Sequence, residues 1–241
     1  MRSLRSSQEF RLSYAFPPFQ AAVPIAGSEE LFPVRRVYCV GRNFAEHARE
    51  MGSDGRELPF FFCKPADAIV PVAPGTTGRI AYPPKTDNLH HEIELVAAIG
   101  KGGSNIPVDQ AGAHIFGYAV GLDMTRRDLQ FALRDKGRPW ELGKAFDQSA
   151  PLSPIHPLSE TGVIDHGAIW LKVNGQEKQR SDISNLIWSV AEVISNLSEY
   201  FTLAPGDLIF TGTPAGVSKV IQGDTLTGGV DGLDEISITL V

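Results

Sequence analysis

The chain has 241 residues, 42% hydrophobic and 21% charged, which suits one large domain with a real core and excludes a disordered or collagen-like chain. A net charge of −6, with no dense run among the 22 Lys and Arg residues, argues against a nucleic-acid partner. Cys39 and Cys63 are too few and too far apart for a disulfide scaffold or a zinc spacing, and read as reduced, buried packing thiols.

No stretch reaches the ~18 apolar residues of a membrane span, and the start lacks the apolar core of a secretory signal, so a cytoplasmic protein without membrane contact is expected. Residues 1–33, punctuated by Pro17, Pro18, Pro24 and Pro33, read as an N-terminal arm, and residues 34–241 as the body. Val37 to Val40 is a short apolar strand ended by Gly41. Asn43 with Glu46 has the form of a helix cap and its capping-box partner, opening a helix that stops at Gly52. Further strands are expected at Pro59 to Cys63, around Ile69 and Val70, at His91 to Ile99 and at Gly117 to Leu122.

Thr125 with Asp128 then predicts a helix of about three turns closing at Gly137. Asn174-Gly175 signals a two-residue hairpin after the strand Ile169 to Val173. Ser189 with Glu192 caps a helix whose Val190, Val193, Ile194, Leu197 and Phe201 recur at helical spacing. Strands at Asp207 to Thr211 and Ile236 to Leu240 close the chain. Strands outnumber helices without alternating with them, which predicts an α+β fold with mixed or antiparallel sheets.

The chemistry concentrates in His90-His91-Glu92-Ile93-Glu94-Leu95. On a strand Glu92 and Glu94 emerge on one face, whether toward a site or merely toward water. Asp123, just beyond a strand end, offers a third carboxylate. Three carboxylates without cysteine suit a hard, partly hydrated ion, Mg²⁺ or Mn²⁺. His90 and His91 read as structural or rim residues rather than ligands. His47 and Glu50, at i and i+3, can form an oriented proton acceptor or belong to a charged surface helix. Lys144, between Trp140 and Phe146, either projects into a site or snorkels outward. Arg127 and Gln130 share one helix face, which reads as solvated unless a substrate carboxylate lies near. Thr211-Gly212-Thr213-Pro214 at a strand end exposes backbone N–H groups and a hydroxyl, though it also serves as a plain turn.

Together, Val37 to Phe44, Asn88 to Leu95, Gly121 to Asp128 and Thr211 to Pro214 resemble the fumarylacetoacetate hydrolase family, in particular its short acylpyruvate-hydrolysing members, over nearly all of 34–241. The resemblance implies a mixed β-sandwich roll, usually a homodimer, with a lid helix over the site. It implies that Glu92, Glu94 and Asp123 hold Mg²⁺ or Mn²⁺, that His47 and Glu50 form a water-activating dyad, and that Lys144 is catalytic. It also implies that Arg127, Gln130 and Thr213 meet the substrate. Ser218-Lys219 departs from the Gly-Pro that many relatives carry there. The activity implied is metal-dependent hydrolysis of a C–C bond in a 2,4-dioxo acid, with 3-fumarylpyruvate of gentisate degradation the favoured substrate. Oxaloacetate decarboxylation and isomerisation of a 2-hydroxydienoate are the alternatives on the same site; a non-catalytic metal- or carboxylate-binding module is the remote one.

Overall fold

The computed structural model describes residues 14–46 and 56–241. Its centre is an eight-stranded sheet. Along the main path Phe60–Lys64, Val37–Gly41, Leu208–Phe210, Ile93–Ile99, Ile115–Leu122, Ala150–Leu152 and Ile69–Pro71 are neighbours in that order, and His156–Pro157 adds to Ile115–Leu122. Most pairs are antiparallel, but Leu208–Phe210 runs parallel to Val37–Gly41, and Ala150–Leu152 parallel to Ile69–Pro71. A five-stranded sheet in the order Gln176–Asp182, Ala168–Val173, Thr225–Val230, Ile236–Leu240, Gly78–Ile80 forms the second layer. The expected α+β fold with mixed sheets and few helices is the one observed.

The strand Ile93–Ile99 is buried along its whole length. Ile93, Leu95, Ala97 and Ile99 enter the larger core between the sheets, with Ile169, Leu171, Leu226 and Ile238. Val96 and Ala98, on the opposite face, enter a second cluster with Cys39, Ala119 and Phe210. Glu94 shares that second parity, so its carboxylate points into protein, not into solvent; the water-facing alternative is excluded by an exposure of 2%.

The chain before the body folds against it. Ala22–Pro24 and Leu31–Pro33 form an antiparallel ribbon that buries Val23 and Phe32 in the second cluster, and Ile25 bridges to Ile155. Cys39 is buried as expected, but Cys63 is exposed, because its side chain leaves the edge strand Phe60–Lys64 on the opposite face from Lys64.

Helix boundaries separate local from tertiary control. The helix Val190–Tyr200 carries the full expected capping box, Ser189 and Glu192 each closing on the other's backbone. The Asn174-Gly175 turn has positive φ at both residues, as a two-residue hairpin demands. The helix expected from Thr125 is shorter: it spans Arg127–Arg134, because Thr125–Arg126 is drawn into a small strand against Leu89–His90. Asn43 spends its carboxamide across the fold, donating to Trp188 O and Thr211 O at 2.9 and 2.8 Å and accepting from Trp188 N at 2.8 Å. Residues 45 and 46 open a helix; the rest of that expected helix, with His47 and Glu50, lies outside the described residues.

Candidate active site

Antiparallel register brings the acidic residues together. Ile93 pairs with Leu122 and Glu94 with Gly121, so Glu92 and Asp123 continue the ladder, and Asp123 N donates to Glu92 O at 2.8 Å. One oxygen from each of Glu92, Glu94 and Asp123 lies within 4.8 Å of the others, and all three residues are buried. Residues separated by about thirty positions in sequence therefore share one pocket because one strand pair ends there.

Positive charge surrounds this cluster unevenly. Lys144, buried at the end of the short helix Glu141–Lys144, places Nζ 2.7 Å from both Glu92 Oε2 and Asp123 Oδ2. Arg127 donates from Nη2 to Glu92 Oε1 and from Nη1 to Gln130 Oε1, the latter at 2.6 Å. The solvated-face alternative for Arg127 and Gln130 is thus excluded; both are buried against the acidic cluster. Lys64 was not anticipated from sequence. Its fully buried ammonium lies 2.8 Å from Asp123 Oδ1. The contact is an ion pair without a hydrogen bond to Oδ1, and Nζ donates to the carbonyls of Met124 and Lys144. The available signal was a lysine among apolar neighbours, the kind that marked Lys144.

Glu94 differs from its two neighbours. Oε2 accepts from Gly212 N at 2.7 Å, and among the described residues no cationic side chain pairs with it. Burial, then the charges of Asp123 and Glu92, push its carboxyl well above the ordinary carboxylate range. Burial pulls the Lys144 ammonium down, but Asp123 and Glu92 more than offset that and leave it raised. Gly212 has φ +103°, and a Cβ there would stand 2.8 Å from Asn43 Cβ, so only glycine lets this N–H reach Glu94.

Glu92 of the acidic cluster, with Lys144 and Arg127, lines a cavity walled by Phe60, Phe62 and Trp140, with Arg42, Gln130 and Thr213 at its sides. Phe62 lies 4.9 Å from Lys144 Nζ, and Phe60 packs edge-on against Trp140 at 5.5 Å. These rings keep the dielectric low, so charges inside act strongly. His90 and His91 are not among the clustered oxygens. Burial drops both imidazoles to about 4; His90 bonds to Asn88 and His91 to Gln179 and Ser218.

A hard divalent ion fits the donor set. Three buried carboxylate oxygens converge without sulfur, and at Glu94 burial and the two neighbouring carboxylates outweigh the charge of Lys144. Fold and site together define a divalent-metal enzyme with an apolar-walled, cation-lined substrate cavity.

Residues 36–241 match the fumarylacetoacetate (FAA) hydrolase C-terminal family, and the chain belongs to that family. It is 52% identical over 184 residues to the fumarylpyruvate hydrolase of a Ralstonia species, covering 76% of this chain and 93% of the relative. It is also 41% identical over 199 residues to the human mitochondrial oxaloacetate tautomerase FAHD1, covering 83% and 88% of the two chains. The crystal structure of the Pseudomonas aeruginosa fumarylpyruvate hydrolase in complex with Mn²⁺ and pyruvate superposes with a TM-score of 0.94 at 61% identity, covering 95% of this chain and 99% of that one.

Proposed function

We propose that this enzyme hydrolyses the C–C bond of an acylpyruvate, converting 3-fumarylpyruvate and water to fumarate and pyruvate. The observation that carries the reading is the placement of Lys144 between two of three converging buried carboxylates, at the inner end of a cavity that also presents Arg127, Gln130 and Thr213. Such a site suits an anionic, oxygen-rich ligand whose reaction develops negative charge.

Glu92, Glu94 and Asp123 are assigned as the ligands of Mg²⁺ or Mn²⁺. When bound there, the ion supplies a Lewis acid for the 2-oxo acid end of the substrate and for the charge released as the bond breaks. The chain's own groups divide the remaining work. Thr213 and the Arg127–Gln130 pair border the cavity where the substrate carboxylate is placed. His47, oriented by Glu50, takes a proton from the water that adds to the 4-carbonyl, an assignment that rests on the family resemblance. The C3–C4 electron pair then moves into an enolate spanning C3 and C2. Lys144 balances that charge and returns a proton to C3, giving the pyruvate methyl group.

The same reading places the catalytic domain at residues 34–241, and the protein as a cytoplasmic homodimer in gentisate breakdown. Among the described residues no helix is long and apolar enough to cross a membrane. A second reading, oxaloacetate tautomerisation or decarboxylation, draws support from the 41% identity to the human tautomerase and shares the enolate without the water. The deciding experiment follows the loss of absorbance of fumarylpyruvate and of simple acylpyruvates, with Mg²⁺ and with chelator. Rapid metal-dependent loss with stoichiometric pyruvate is expected; metal bound without turnover of any 2,4-dioxo acid ends the proposal.

A further inference from the structure

Gln179 lies in the strand Gln176–Asp182 of the second sheet, between half-buried Lys178 and exposed Arg180, yet is itself fully buried. Two of its partners have only one possible role. The Ile93 backbone N–H donates to Oε1 at 3.2 Å, and the Pro214 carbonyl accepts from Nε2 at 2.8 Å. The amide therefore has one orientation, and every remaining bond takes its direction from it.

Nε2 donates its second hydrogen to Thr213 Oγ1 at 2.8 Å. Oε1, which only accepts, lies 2.8 Å from His91 Nδ1, so His91 carries a proton on that nitrogen. The uncharged ring then presents Nε2 as an acceptor to the Ser218 hydroxyl at 3.0 Å. The chain runs one way: Ser218 to His91, His91 to Gln179, Gln179 to Thr213. Having accepted, Thr213 keeps its own hydroxyl hydrogen, for which no acceptor stands among the described residues, and it borders the cavity beside Glu92, Arg127 and Lys144. Close approach makes this possible. Gly216, at φ +96°, brings the turn so near the strand that a Cβ would stand 2.0 Å from Lys178 O.

We propose that Gln179, backed by His91 and Ser218, is a positioning residue that fixes the Thr213 hydroxyl as a hydrogen-bond donor toward the cavity, for the carboxylate of the bound 2-oxo acid. The identity of that ligand rests on the proposed function; the direction of the relay does not. A reversed amide would make Thr213 donate backward and present only lone pairs to an anion. The buried carboxamide thus decides whether the threonine attracts or repels the ligand, and because its orientation is set before binding, little reorganisation remains. Ser218 closes the outer end of the relay.

Two measurements on the full chain test this. In ¹⁵N-histidine-labelled protein, metal-free and with Mg²⁺, His91 is expected as the Nδ1–H tautomer, the minor form of free histidine; an Nε2–H signal overturns the relay. Pyruvate binding with Mg²⁺ is then titrated in the parent, Gln179→Glu, Thr213→Val, Thr213→Ser and the Gln179→Glu/Thr213→Val double variant. Gln179→Glu replaces two donors by acceptors and is expected to weaken pyruvate at least about tenfold. Thr213→Val should do the same, Thr213→Ser should retain binding, and the double variant should bind no more weakly than Thr213→Val alone. Undiminished pyruvate binding in Gln179→Glu, or losses that add in the double variant, overturns the assignment. A parent that takes up no pyruvate counts against the substrate reading, and the relay is then judged by the His91 tautomer alone, which needs no variant to fold.

Discussion

Lys64 and Asp123 form an ion pair of 2.8 Å in which neither side chain has any exposure to solvent. The pair ties the edge strand Phe60–Lys64 to the end of Ile115–Leu122, two strands that are not neighbours in the sheet. Removing Lys64 leaves Asp123, in a medium of low dielectric, with Lys144 as its one remaining cationic partner among the described residues. Lys64→Met is therefore expected to lower the unfolding free energy of the metal-free protein by ~1–3 kcal/mol, short of the cost of a wholly unpaired buried charge. Urea denaturation followed by tryptophan fluorescence measures it, and a loss below about 1 kcal/mol removes Lys64 from the account.

Glu94 predicts a pH dependence whose sign is fixed by its shift. Its folded value is raised above the unfolded one, so its contribution to stability is full below the ordinary carboxylate range and is lost as pH rises through the folded value. The melting temperature of the chelator-treated protein should fall across that interval, and Mn²⁺ should restore more stability at its upper end than at its lower. Binding of Mn²⁺ should release a proton, measured by calorimetry in buffers of different ionisation heat. Glu94→Gln should abolish that release and weaken the ion; an unchanged proton count in this variant contradicts the assignment.

Lys144 contacts two proposed ligands, so its removal should separate affinity from turnover. In Lys144→Met the repulsion between ammonium and metal ion disappears, and Mn²⁺ should bind as tightly as in the parent or more so. Meanwhile kcat should fall by about 10²–10³, the usual cost of deleting one transition-state charge partner. Parallel titrations and steady-state rates decide it: if both quantities decline together, Lys144 is a support for the site rather than a participant.

His47→Ala separates the two chemical readings. Acylpyruvate hydrolysis is expected to drop by about 10²–10⁴, the range for loss of a general base. Metal-assisted oxaloacetate decarboxylation, which needs no attacking water, should persist within a few-fold. Equal losses for both substrates would place His47 in enolate chemistry instead.

Much of this molecule was legible before its fold was known. The capping box at Ser189 and Glu192 and the Asn174-Gly175 hairpin are local devices, each satisfied by residues within a few positions, and both stand where local chemistry places them. The three carboxylates were legible as candidates, because Glu92 and Glu94 alternate onto one strand face and Asp123 stands just past a strand end, but whether they faced a site or water was not. What the residues alone could not settle was the direction of each side chain. Thr125 lost its cap role to a strand partner, and Arg127 turned from a solvated face to Glu92.

Local hydrogen bonding and hydrophobic spacing, written within a window of a few residues, determined the elements and the acidic residues that matter. Only the tertiary structure decided which oxygens converge, that Lys64 belongs with Asp123, and that Gln179 faces inward from an otherwise polar strand. The reason is physical: a buried charge or amide is tolerated only beside its partner, and those partners lie on chain segments far apart in sequence that sheet register alone brings together.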